Sequence, residues 1–179
     1  MKNCSILIGR FNPPSIAHQK LIEELIDISK ENNLNSVLFI ISGVKSSKNR
    51  QKNPLNNYEI KYFLNKMFPD LKIIIATSVF DVSEKLKALE YTPRLLLCGE
   101  DREKTYSTFF KNYDGFKIIK HDRNFLGMKV SSTIIRNHIK EGTIGVHQYL
   151  LPTKMNIKHK ITMAKLVKYR MGENYQINR

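Results

Sequence analysis

Apolar positions along the chain follow two rhythms. Brief, β-branched runs at Ser5–Ile8, Val37–Ile41, Lys72–Ala76, Arg94–Cys98 and Phe116–Ile119 predict strands, and Val37–Ile41 is apolar throughout, as a central strand covered on both faces should be. Between these runs the apolar residues recur every three or four positions. Leu21, Ile22, Leu25, Ile26 and Ile28, with Glu23, Glu24 and Asp27 on the outer face, predict a helix over about Ile16–Ser29 that Ser15 is placed to cap. The same spacing predicts helices at Tyr58–Met67, Val79–Leu89, Thr105–Lys111 and Ser131–Lys140, the last ended by Gly142. Val44–Asn57 is polar, lysine-rich and carries Pro54, so it reads as a loop. Regular alternation of strand and helix argues for an α/β, doubly wound parallel sheet with ligands outside the carboxyl ends of its strands. After Pro152 comes a basic helix, about Ile157–Tyr169, in which Ile161, Ala164, Leu166 and Val167 alternate with lysines.

Length adds that 179 residues with 41% hydrophobic content close one sizeable core. We expect one domain over residues 1–152, with 153–179 as its basic helical extension. No apolar run approaches the roughly 18 residues of a membrane span, and Met1-Lys2-Asn3-Cys4 leads directly into a strand rather than a signal peptide. The expectation is a soluble, cytoplasmic protein with no membrane partner; self-association is left open. Cys4 and Cys98 flank apolar runs without metal-ligand spacing and read as core thiols. The net charge of +14 admits a nucleic-acid footprint, a polyphosphate site or a generally basic surface. Codon bias towards Ile, Lys and Asn could supply part of it.

Chemistry concentrates at two predicted helix starts. Gly9-Arg10-Phe11-Asn12-Pro13-Pro14-Ser15-Ile16-Ala17-His18 lies between the first strand and the first helix. A glycine at a strand end admits close approach of a phosphate, and a helix start offers N–H groups and a positive dipole end. Taken alone, His18 fits a surface histidine better than a ligand; the strand–loop–helix context reverses that. Ser131-Ser132-Thr133-Ile134-Ile135-Arg136 opens another helix with three hydroxyls and an arginine one turn on, and by itself it fits helix capping equally well. Two anion-binding helix starts could clamp both ends of a triphosphate.

The first segment resembles the G-x-F-x-P-x-(H/T)-x-G-H signature of HxGH nucleotidyltransferases, and Val130–Arg136 resembles their I-S-S-T-x-I-R motif. Lys52-Asn53-Pro54-Leu55 is similar to the family's lysine- and proline-bearing loop, and Gly99-Glu100-Asp101 to its G-x-D. Among members, the run through Lys66–Pro69 and Phe80–Val82 looks like cytidylyltransferase-like proteins carried by tailed bacteriophages, while Leu150-Leu151-Pro152 and Gly9-Arg10-Phe11 resemble nicotinamide mononucleotide adenylyltransferases of NAD biosynthesis.

The resemblance implies a Rossmann-like sheet and transfer of a nucleoside monophosphate from ATP or CTP to a phosphorylated small molecule, with pyrophosphate released and Mg²⁺ accompanying the triphosphate. Gly9, Arg10, Phe11 and Asn12, with Gly99 and Asp101, would then lie along the nucleotide. Ser15 and His18 would hold phosphates, Ser131, Ser132, Thr133 and Arg136 would bind the polyphosphate end, and Lys52 would approach the transferred or acceptor phosphate. Lys52 reads equally as a solvated loop lysine, and Arg102 better as a surface ion-pair or capping residue. This chain departs from the motif at Ala17, in place of glycine, and at Ser15, in place of histidine or threonine. A helical φ tolerates the added methyl, and serine keeps a hydroxyl donor. The rival reading is a non-enzymatic nucleic-acid-binding protein on the same fold, motivated by the charge. Against it, the aromatics do not cluster with the lysines along the sequence as a base-stacking surface needs.

Overall fold

The computed structural model describes residues 1–41, 48–99, 102–121, 124–125 and 128–173. It forms two compact units. The first comprises Met1–Arg10, Lys20–Ile41 and Leu71–Arg123, and the second Phe11–Gln19, Ser42–Asp70 and Asn124–Arg179.

The first unit is built on five strands, β1 (Lys2–Gly9), β2 (Asn35–Ile41), β3 (Lys72–Ala76), β4 (Tyr91–Gly99) and β5 (Lys117–His121). All pairings are parallel, in the order β3-β2-β1-β4-β5. The direction of winding reverses between β1 and β4, which makes this a Rossmann-like, doubly wound sheet. Alternate residues of the central strands point to opposite faces. Cys4, Ile6, Ile8, Val37, Phe39, Leu96 and Cys98 form one face, closed by Val82 and Leu86 of α3 (Val79–Ala88) and by Tyr106 and Phe110 of α4 (Glu103–Phe110). On the other face Ser5 Oγ meets Ser29 Oγ of helix α1 (Ile16–Glu31), whose Ile22 and Leu25 are fully buried. Both cysteines are core thiols, and burial pushes the Cys4 thiol up from 9.0 to about 12. Ser78 caps α3 by accepting the Asp81 N–H, and Asp81 accepts the Thr77 N–H in return. That backbone donor, with Lys85 nearby, holds the Asp81 carboxyl below its ordinary value.

The second unit contains α2 (Asn57–Met67), the two-residue antiparallel pair β6 (Asn124–Phe125) and β7 (Met128–Lys129), α5 (Ser132–Glu141), a single 3₁₀ turn at Gln148–Leu150 and α6 (Ile157–Glu173). The first turn of α1 also belongs to it. Asn56 and Glu59 form a reciprocal capping box at the start of α2. Gly142 ends α5 in the left-handed conformation, φ 78°, that glycine adopts without steric cost. α5 packs on α6, with Ile135 and Ile139 buried on one helix and Met163 and Val167 on the other.

Strand β3 has the bounds expected from the apolar pattern. The other predicted elements shift by one to four residues at an end, and three differences stand out. β4 begins at Tyr91 rather than Arg94, because a register shift between Cys4 and Ser5 admits Pro93, which has no N–H to donate to a ladder. The final helix runs four residues beyond Tyr169, to Glu173. The β6–β7 pair was not expected, since two residues carry no periodicity. The loop read at Val44–Asn57 is described only from Lys48 onward, and Glu100 and Asp101 lie outside the described residues.

Candidate nucleotide site

The loop leading into α1 is tied to its first turn. Ser15 caps the helix, its Oγ accepting the His18 N–H at 3.2 Å, and that hydroxyl also lies 2.9 Å from His18 Nδ1. The Ser15 N–H donates to the same Nδ1 at 3.1 Å. A ring nitrogen that accepts an N–H carries no proton, so this pattern assigns the proton of the neutral imidazole to Nε2 and makes that edge a donor. Phe11 packs edge-on against the His18 ring, with centroids 5.0 Å apart. Its backbone takes φ 49°, a left-handed conformation uncommon for a bulky residue. Such strain, about 1–3 kcal/mol, persists only where surrounding contacts impose it.

Those contacts come from α5 and from the loop before α2. Asn12 is buried, its side chain donating to the Leu55 carbonyl at 2.8 Å and accepting the Leu55 N–H at 3.0 Å. Arg136, also buried, donates from Nη1 to the Asn12 carbonyl at 2.7 Å and from Nη2 to Thr133 Oγ1 at 2.9 Å. Ser132 Oγ donates to the Pro13 carbonyl at 2.9 Å. Ser131 is the N-cap of α5, accepting from the Ile134 N–H. The two motifs, more than a hundred residues apart in sequence, are thus joined by direct hydrogen bonds. One consequence was not visible beforehand: Ser132 and Arg136 brace the Asn12-Pro13 backbone as well as standing where an anion could lie.

Lys52 is exposed, and its backbone N–H turns in to Asn49. Around it the chain is anchored by α6, where Gln51 Nε2 donates to the Met171 carbonyl and Arg170 pairs with Glu59 and donates to the Pro54 carbonyl. Two buried residues went unrecognised in the sequence. Asn53 lies beside Lys52, and Gln19 donates to Thr153 Oγ1 and accepts the Lys154 N–H, fixing the segment after Pro152. An amide one residue past a motif histidine carries no local signal of such a role. Gly9 and Gly99 close β1 and β4 in the first unit, and Arg10 follows exposed. Asp101, expected along the nucleotide, lies outside the described residues.

Charge separates sharply between the units. Sixteen of the 30 Lys and Arg residues but only four of the 16 Asp and Glu fall within the second unit's segments. Among the described residues no group of three or more His, Cys, Asp or Glu side chains could hold a metal ion. No helix among them is long and apolar enough to cross a membrane. Hydroxyl, imidazole N–H and guanidinium groups are donors, suited to phosphate oxygens.

A Rossmann-like sheet whose chain carries two hydrogen-bonded, donor-rich helix starts is the architecture of α/β nucleotidyl-transfer proteins. Residues 6–138 match the family model described as cytidylyltransferase-like, and the chain belongs to that family of nucleotidyltransferases. A curated relative, the bifunctional riboflavin kinase/FMN adenylyltransferase of Buchnera aphidicola subsp. Schizaphis graminum, is 25% identical over 174 residues, covering 89% of this chain. The chain spans 54% of that relative's length. In fold it is similar to a Vibrio parahaemolyticus protein assigned as a nicotinate-nucleotide adenylyltransferase, at TM-score 0.60 and 17% identity over 94% of this chain and 96% of the other. A Plasmodium falciparum nicotinic acid mononucleotide adenylyltransferase, solved with APC, gives TM-score 0.59 and 15% identity over 90% and 96%. At these identities the likeness is one of fold.

Proposed function

We propose that the protein joins the nucleoside monophosphate of a triphosphate, with ATP favoured over CTP, to a mononucleotide acceptor of the nicotinamide or nicotinate type, and releases pyrophosphate. The observation that carries this reading is the bonded pair of helix starts, Ser15-His18 on α1 and Ser132-Arg136 on α5, which meet through the Asn12 and Pro13 carbonyls. The choice of acceptor rests on the names of the two fold relatives of matching length and on the Leu150-Leu151-Pro152 ending. An acceptor phosphate oxygen attacks the α-phosphorus, a new P–O bond forms, and the bond to the β-phosphate oxygen breaks as pyrophosphate leaves. The attacking phosphate is already ionised at neutral pH, so no covalent intermediate is needed and catalysis is positioning plus charge stabilisation.

Each residue then has a specific task. His18 donates from Nε2 to a phosphate oxygen while Ser15 holds Nδ1, so the ring cannot swing away. The α1 and α5 starts supply N–H and hydroxyl donors from Ser131, Ser132 and Thr133. Arg136 keeps the Asn12-Pro13 turn in place and adds positive charge beside it, and Lys52 approaches the acceptor phosphate. Mg²⁺ would enter with the triphosphate rather than on a protein site and would supply further neutralisation of the pyrophosphate charge, while the donors of α1 and α5 hold the phosphate oxygens. The test is pyrophosphate release with Mg²⁺, crossing ATP and CTP against nicotinamide mononucleotide, nicotinate mononucleotide, FMN, phosphopantetheine and phosphorylated alcohols. Release with a mononucleotide and ATP supports the proposal; release with another acceptor alone corrects the substrate; no release and no triphosphate binding sinks it.

A further inference from the structure

Helices α2 and α6 present a surface that the transfer reaction does not use. On α2, Tyr58, Tyr62 and Lys66 recur at i, i+4 and i+8 and therefore share one face; Tyr58 is 79% and Tyr62 47% exposed. Lys66 Nζ lies over the Tyr62 ring, 5.3 Å from its centroid. Tyr62 reaches α6 directly, its hydroxyl 3.2 Å from His159 Nε2 and its ring edge-on to the imidazole. On α6, Lys158, Thr162, Lys165 and Tyr169 recur at i, i+4, i+7 and i+11 and are all exposed. The nearby acid Glu59 is already paired with Arg170. The fold therefore sets Tyr62 against His159, the neighbour of Lys158, a proximity that linear spacing does not indicate.

We propose that this α2–α6 face binds single-stranded nucleic acid, with bases stacking on Tyr58 and Tyr62 and the phosphate backbone following Lys66, Lys158 and Lys165. The observation behind it is the juxtaposition of an exposed tyrosine pair with a lysine stripe in the unit that carries most of the protein's excess positive charge. A tyrosine ring flanked by cations accepts any base face, whereas a duplex keeps its bases stacked internally and offers phosphates alone. An anionic membrane would need a broad apolar face, but Met163, Val167 and Met171 of α6 are buried in the protein, and Ile157, Ile161 and Tyr169 are the large apolar side chains exposed on it among the described residues.

The test uses the full chain and a fluorescein-labelled 20-nucleotide oligo(U), read by anisotropy across a salt series, with a 20-base-pair duplex and phosphatidylserine vesicles in parallel. Binding should favour the strand over the duplex and weaken with salt at a log–log slope of about −2, for about three neutralised phosphates. Because the chain has no tryptophan, stacking should also quench its tyrosine emission on oligo(U) addition. The pair Y58A/Y62A should weaken strand binding at least tenfold, Y58F/Y62F should restore it, and K158E/K165E should abolish it. None of these variants should alter pyrophosphate release or triphosphate binding, so failure here is separable from failure of the transferase reading. Wild-type affinity in the alanine pair, equal affinity for duplex and strand, or vesicle binding without oligo(U) binding would each overturn the proposal.

Discussion

Asn12→Ala removes the side chain that pairs with both backbone groups of Leu55. Those two bonds, 2.8 and 3.0 Å long, lie between residues 3% and 2% exposed, so deletion leaves a buried N–H and a buried carbonyl without partners. Each orphaned group costs about 1–3 kcal/mol, which puts the loss at about 2–6 kcal/mol. Against a typical total of about 5–15 kcal/mol, that is a large fraction. At about 2–4 °C per kcal/mol for a chain of this size, Tm should fall by about 4–24 °C. Function should suffer beyond stability, because Asn12 also spaces Phe11 from Pro13 in the turn that Arg136 and Ser132 brace. Displacement of about 1 Å in such a turn can cost about a hundredfold in rate. Urea unfolding gives the first quantity, and kcat for pyrophosphate release measured well below the variant's Tm gives the second. Asn12→Asp provides a shape-preserving check: it retains the acceptor for the Leu55 N–H but turns an anionic oxygen towards the Leu55 carbonyl, and should be comparably destabilised at neutral pH. A ΔΔG within about 0.5 kcal/mol of zero for Asn12→Ala, with kcat unchanged, would refute the bracing role.

His18→Ala should abolish turnover with little loss of stability, since the ring is half-buried rather than part of the core; retained turnover in the pyrophosphate assay would remove His18 from the site. Arg136→Ala should both weaken triphosphate binding and lower Tm, because it strips the donor from the Asn12 carbonyl; a titration with unchanged affinity would reduce Arg136 to a brace alone. The Cys4 thiol should resist alkylation in the native state and react on unfolding. Its folded value is raised above 9.0 to about 12, so the contribution to stability is complete below pH 9 and is lost as pH rises from 9 towards 12. Urea midpoints for Cys4→Ser, in parallel with the parent across that range, would show a shallower alkaline decline if this holds.

The alternating apolar runs predicted the sheet, because a strand covered on both faces must be apolar throughout, and this requirement is local to five or so residues. Helix ends were legible for the same reason: Gly142 supplies a left-handed cap, and Ser131 an N-cap oxygen, whatever the rest of the chain does. Both motifs were likewise readable as anion-seeking helix starts. Their connection was not. Arg136 reaches the Asn12 carbonyl across 124 positions of sequence, and Asn12 reaches Leu55 across 43, through packing that no periodicity encodes. The same holds for Pro93, placed in a strand by a register shift in its neighbour, and for Tyr62, which meets His159 only because two helices cross. Sequence alone determined which segments become the strands of the parallel sheet and the longer helices and which side chains are hydrogen-bond donors, since those properties follow from a residue and its near neighbours. Tertiary structure decided which of those donors hold the backbone, because a buried hydrogen bond depends on where distant segments of chain come to rest.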